Sequence, residues 1–166
     1  MNAVVVFESL WGNTAAIARA IAEGLGDGAR ALSTAEADAE AVAGADLIVA
    51  GAPLLGFSLP TDDMRKGIAS NRTGPTADVS APSMRSWLAV LPARERGIAG
   101  FETRIWWSPG SAAKTIIELA VEKGCRQVAP PEKFVVTGRY GPLKTGELER
   151  ARAWGATLAG RAADAS

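Results

Sequence analysis

The chain has 166 residues, 18 of them basic and 18 acidic, with no histidine and one cysteine. A net charge of zero leaves no basic field for nucleic acid or an anionic membrane surface. Without histidine, Ser-His-Asp and Cys-His catalysis are excluded, and a single cysteine allows no intramolecular disulfide.

The length suits one domain with a sizeable core. No apolar run is long enough to span a bilayer, and the N-terminus lacks the basic and long apolar regions of a signal peptide. A soluble, cytoplasmic protein is therefore expected. Any redox chemistry would have to come from a bound cofactor.

Val4–Phe7 is apolar at every position and reads as a buried parallel strand. The run Ser9-Leu10-Trp11-Gly12-Asn13-Thr14 follows, and a helix starts at once, with Asn13 the expected N-cap. Such a junction aims backbone N–H groups and a helix dipole at one spot, which suits an anion. The loop has no lysine or arginine, so it is not a P-loop; N–H groups and the hydroxyls of Ser9 and Thr14 would hold a phosphate. Ile17, Ala18, Ile21, Ala22 and Leu25 mark the buried face of the helix, which stops near Gly24–Gly28.

A weaker strand is expected at Ala29–Leu32, a short helix at Ala35–Val42 and a buried strand at Leu47–Ala50, ending in Gly51-Ala52-Pro53. Residues 54–82 are irregular, with a possible helical turn at Asp62–Ala69; 58–82 reads as an insertion or lid. Asp62 and Asp63 suit a helix start, and Arg65, Lys66 and Arg72 a solvated face. Ser83–Leu91 reads as a helix with Met84, Trp87, Leu88 and Leu91 on one side, and Gly97–Thr103 as a strand.

Pro109 and Ser111 open a helix that carries Ile116, Ile117, Ala120 and Val121 and ends at Gly124. Cys125 then reads as an inert core residue. Arg126–Ala129 and Phe134–Thr137 read as one last strand broken by Pro130-Pro131, because proline cannot donate to a ladder. The final helix runs from about Glu147 to Ala162 with Leu148, Ala151, Trp154 and Leu158 inward. Ser111-Ala112-Ala113-Lys114 and Lys144-Thr145-Gly146 match pieces of the penicillin-recognising motif set, but S-D-N is missing and the spacing is too short.

Strands alternating with helices imply a parallel sheet covered on both faces, with ligands bound beyond the carboxyl ends of the strands. The loops there are 8–14, 51–60 and 103–111.

The run Phe7-Glu8-Ser9-Leu10-Trp11-Gly12-Asn13-Thr14 resembles the start of single-domain flavodoxin-like proteins. Gly51-Ala52-Pro53, Gly100–Arg104, Pro109–Ala113 and the Gly141–Ala151 tail extend the resemblance over most of the chain. It implies an α/β fold with a doubly wound five-stranded parallel sheet of order 2-1-3-4-5 spanning residues 1–166. It also implies non-covalent FMN. The phosphate would sit on Ser9, Leu10, Trp11, Gly12, Asn13 and Thr14. The ring would lie between Pro53, Leu54, Leu55, Gly56 and Phe57 on one side and Arg104, Trp106 and Trp107 on the other. Phe57, Trp106 and Trp107 are the stacking candidates, Gly56 the site of a peptide flip, and Arg104 a cation that would raise the flavin potential. The implied role is electron transfer or a small flavin-dependent redox function, with a partner protein or NAD(P)H. Leu54-Leu55 departs from the family pattern and favours an alternative, a flavin-free binding or scaffold module. A third reading is an oligomeric FMN-dependent quinone reductase.

Overall fold

A computed structural model describes residues 1–164. Its elements are β1 (Ala3–Phe7), α1 (Asn13–Leu25), β2 (Arg30–Ser33), α2 (Ala39–Ala43), β3 (Leu47–Pro53), α3 (Asp62–Ser70), α4 (Met84–Val90), β4 (Gly97–Ile105), α5 (Ala112–Glu122), β5 (Arg126–Gln127), β6 (Glu132–Val136) and α6 (Glu147–Asp164). The strands are parallel, in the order β2-β1-β3-β4, and β5 and β6 both pair with β4. The last two are one edge strand interrupted around Pro130-Pro131. The 2-1-3-4-5 order is thus realised.

Side chains alternate across each strand and feed two cores. Val4, Val6, Ile48, Ala50 and Ile98 meet α2, α4 and α5 through Val42, Met84, Leu88 and Ile116. Val5, Phe7, Val49, Ala99 and Phe101 meet α1 and α6 through Ile17, Ile21, Ala151 and Leu158. Each fully buried Val, Leu, Ile, Phe or Met side chain among them contributes roughly 1.5–3 kcal/mol. Phe101, Phe134 and Trp154 pack edge to face, with centroids 6.0–6.4 Å apart, and join β4, β6 and α6.

Four expectations change. Leu148 is 39% exposed while the neighbouring Glu147 is buried, because Glu147 accepts from Val135 N–H and pairs with Arg150. Val121 is 47% exposed at the end of α5. The short helix begins at Ala39, where Asp38 caps it by accepting from Ala41 N–H. The helical turn expected at Asp62–Ala69 is a nine-residue helix, capped by Thr61. Among the described residues no helix is long and apolar enough to cross a membrane.

Candidate functional site

The loop after β1 is built around Gly12, whose φ of 94° occupies the left-handed region that glycine tolerates. That turn places Gly12, not Asn13, at the N-cap position of α1. Ser9 Oγ folds over the helix start and accepts from Gly12 N–H (3.1 Å) and Ala15 N–H (3.2 Å). Asn13 is the first helical residue, and its Nδ2 donates to the Tyr140 carbonyl at 3.0 Å. The N–H groups of Trp11, Asn13 and Thr14 have no acceptor among the described residues.

Beyond the carboxyl ends of β1, β3 and β4 lies a cavity of about 410 Å³, within the ~300–1,000 Å³ of small-molecule sites. Its polar end is Asn13, Thr14 and Thr103; its apolar wall includes Leu54, Leu55, Met64, Ile68 and Ile105. Thr14 and Thr103, 2% and 4% exposed, join hydroxyls at 2.7 Å. The cavity lining contains two arginines, Arg104 and Arg139, and no carboxylate.

Leu54 N–H donates to Thr103 carbonyl, fixing the start of the next loop to β4. Leu55 and Ser58 exchange backbone hydrogen bonds at 3.0 and 2.9 Å. Between them Gly56 (φ 50°) and Phe57 (φ 66°) are both left-handed, the pattern of a type I′ turn. Phe57 is thus a bulky residue in a region that costs ~1–2 kcal/mol, and it is 59% exposed. The turn is backed by Gly110, where a Cβ would stand 2.0 Å from the Phe57 carbonyl oxygen. Only glycine allows the two loops to meet this closely.

Arg104 reaches the cavity wall already balanced. Its guanidinium donates to Glu102 at 3.1 Å and to Gly110 carbonyl at 2.8 Å. Glu102, fully buried, also accepts from Ser111 Oγ (2.7 Å) and Ala113 N–H (3.2 Å) at the start of α5.

The segment after Ser58 contributes α3, whose Met64 and Ile68 line the cavity. Arg65, expected on a solvated face, is turned inward instead. It is 9% exposed, donates to Ala81 carbonyl and has Nε 3.2 Å from Glu8 Oε2. The two atoms face each other as an ion pair without an aligned hydrogen bond. Burial pushes the Glu8 carboxyl above its usual 4.5, against the lowering pull of Met84 N–H and the Arg65 charge. Asp78 N–H donates to Leu10 carbonyl, so this segment is fastened to the β1 loop at two places.

The structure therefore divides the expected site residues. Leu10, Trp11, Asn13, Thr14, Pro53, Leu54, Leu55, Gly56 and Arg104 share the cavity. Ser9 and Gly12 instead line a second hollow of about 450 Å³ on the far side of Leu10 and Trp11, with Arg19 and Arg65. Phe57, Trp106 and Trp107 are outside the cavity lining, the tryptophans 75% and 61% exposed in a turn closed by Ser108 N–H to Ile105 carbonyl. Sequence reasoning missed Thr103, Met64, Ile68 and Arg139. Thr103 had a signal, its place at the carboxyl end of a buried strand; Arg139 had none beyond a Gly-rich loop.

No protein-family model and no curated protein matches the chain. Solved structures do. A flavodoxin from the domain Archaea is 20% identical, with a TM-score of 0.70 and coverage of 98% of this chain and 99% of that one. Flavodoxin 2 from Bacillus cereus is 17% identical, with a TM-score of 0.66 and full coverage of both chains, 100% and 100%. A WrbA-like flavodoxin from Agrobacterium tumefaciens is 23% identical, with a TM-score of 0.59 and 99% coverage of each chain. Strand order, helix placement and these likenesses agree: the chain has the flavodoxin-like fold.

Proposed function

We propose that the chain binds FMN non-covalently and serves in electron transfer or as a small flavin-dependent reductase. Asn13, Thr14 and the N–H groups of the 9–14 loop would hold the phosphate. Pro53, Leu54, Leu55, Gly56, Met64 and Ile68 would bury the ring. Phe57, Trp106 and Trp107 are available at the mouth to cover the ring or to meet a redox partner.

The carrying observation is the cavity itself, polar at the α1 end and apolar toward α3. Its chemistry fits a phosphate-bearing planar ligand. In the Thr14–Thr103 pair one hydroxyl donates to the other, which leaves one buried proton with no acceptor among the described residues. The buried Trp11 Nε1 also lacks a partner. When bound, flavin supplies the redox chemistry. The chain's part is to bind, orient and exclude water.

The flavin-free reading rests on Leu54 and Leu55 closing the site. Both stand in the wall of an open cavity, which supports the ligand-binding reading. The test is the visible spectrum of purified protein before and after adding FMN and gel filtration. Retained flavin bands support the proposal; a colourless protein that releases all added FMN overturns it. NAD(P)H consumption with a quinone separates a reductase from a carrier.

A further inference from the structure

The loop at the start of α1 has no cation of its own, yet a cation borders the same cavity from the other end of the chain. Arg139, in the loop after β6, lines the cavity with Asn13 and Thr14. We infer that Arg139 is the counter-ion of this site and selects ligands carrying a phosphate dianion; this rests on the flavin nucleotide reading above.

Four observations carry it. First, the cavity has no carboxylate, and its other arginine, Arg104, is neutralised by Glu102 at 3.1 Å. Second, Arg139 has no carboxylate partner among the described residues. Among the described residues its guanidinium meets the face of its neighbour, Tyr140, at 5.6 Å to the ring centroid. Third, the Arg139 loop is fastened to the first turn of α1. Tyr140 carbonyl accepts from Asn13 Nδ2 at 3.0 Å, the Tyr140 and Trp11 rings meet edge to face at 5.0 Å, and Gly141 lies against the Asn13 amide. Fourth, the buried Thr14–Thr103 pair leaves a hydroxyl proton without an acceptor in that same cavity. A phosphate monoester, with a charge of about −1.5 to −2 at pH 7, supplies both the acceptor and the negative charge these groups lack.

On this inference an ion pair with Arg139 is added to the N–H groups and hydroxyls expected from the sequence to hold the phosphate. The N–H groups and hydroxyls fix its position, and Arg139 adds charge selectivity.

The test compares FMN with riboflavin, which lacks the phosphate, by fluorescence titration of wild type, Arg139→Gln and Arg139→Lys at low ionic strength. The glutamine variant should bind FMN about ten-fold more weakly and leave riboflavin unchanged. The lysine variant should recover part of the loss. The difference should shrink in ~1 M salt, where charges are screened beyond ~3 Å. Undiminished FMN binding by Arg139→Gln overturns the inference. So does an equal loss for both ligands, which would place Arg139 in support of the Tyr140 loop. Failure of the underlying reading looks different: wild-type protein binds neither flavin, and the inference falls with it.

Discussion

Thr14 Oγ1 and Thr103 Oγ1 lie 2.7 Å apart although 89 residues separate them in sequence. This contact fastens the first turn of α1 to the end of β4 at the polar end of the cavity. Two hydroxyls sharing one hydrogen bond are not equivalent toward a ligand. The Thr14 hydroxyl stands in the first turn of α1, beside the free N–H groups of the 9–14 loop, so its loss in Thr14→Val should weaken FMN about ten-fold and riboflavin much less. Thr103→Val leaves the Thr14 proton free to turn to the ligand. It should cost about 1 kcal/mol of stability with little change in FMN affinity. Denaturant unfolding and flavin titration of both variants separate the two roles; an equal effect of both on FMN would contradict this division.

The Glu8–Arg65 pair joins the end of β1 to α3, with side chains 2% and 11% exposed. Removing one buried partner leaves the other charge uncompensated. Arg65→Met should therefore destabilise by about 3 kcal/mol, more than loss of an exposed pair such as Lys114–Glu118 could. The double change Glu8→Leu with Arg65→Met should recover most of that loss. Urea unfolding of the three proteins is the check. The raised carboxyl also has a pH signature. Folded Glu8 holds its proton more firmly than unfolded Glu8, so its contribution to stability declines as pH rises from 4.5 through the raised value.

Glu147 behaves in the opposite sense. Hydrogen bonding from Arg150 is the main cause that holds its carboxyl below 4.5, against burial, with the Val135 N–H adding to the lowering. Its stabilising contribution is present above 4.5 and is lost as pH falls through the depressed value. Glu147→Gln should lower Tm at pH 7 and flatten the fall of Tm below pH 4.5. A parallel pH profile in variant and wild type would count against this account.

Gly67 lines the cavity from α3, and a side chain there would meet nothing within 4 Å. Because glycine inside a helix costs roughly 0.5–1 kcal/mol relative to alanine, Gly67→Leu should leave stability unchanged or raise it. On the proposed placement of the ring the added side chain would fill the same space, so FMN affinity should fall at least about ten-fold. Thermal melts and flavin retention should thus move in opposite directions.

The fold was legible because parallel strands are apolar at consecutive positions, as in Val4–Phe7 and Leu47–Ala50, and because Pro130-Pro131 announced the break in the last strand. Helix faces were legible where buried residues recur at helical spacing, as in Ile17, Ile21 and Leu88. Arg65 escaped this reading, since a charged residue carries no periodic signal for burial; its ion pair with Glu8, far away in sequence, and its hydrogen bond to the Ala81 carbonyl turn it inward. The same applies to the site. The motif at 9–14 is contiguous and could be read, whereas Asn13 meets Tyr140 across 127 residues, and nothing local in Gly138–Gly141 indicates that meeting. The left-handed turn at Gly12, which gives the Ser9 hydroxyl to the helix start, is a three-dimensional result.

The fastening of the Tyr140 loop onto Asn13 has a consequence for biosynthesis. During synthesis the chain emerges from its N-terminus at ~5–20 residues per second. The 9–14 loop leaves the ribosome well before the loop that closes over it, which comes 127 positions later. The pocket is therefore completed only once the Tyr140 loop has been made, and any ligand it takes would enter after that point, not while the 9–14 loop stands alone.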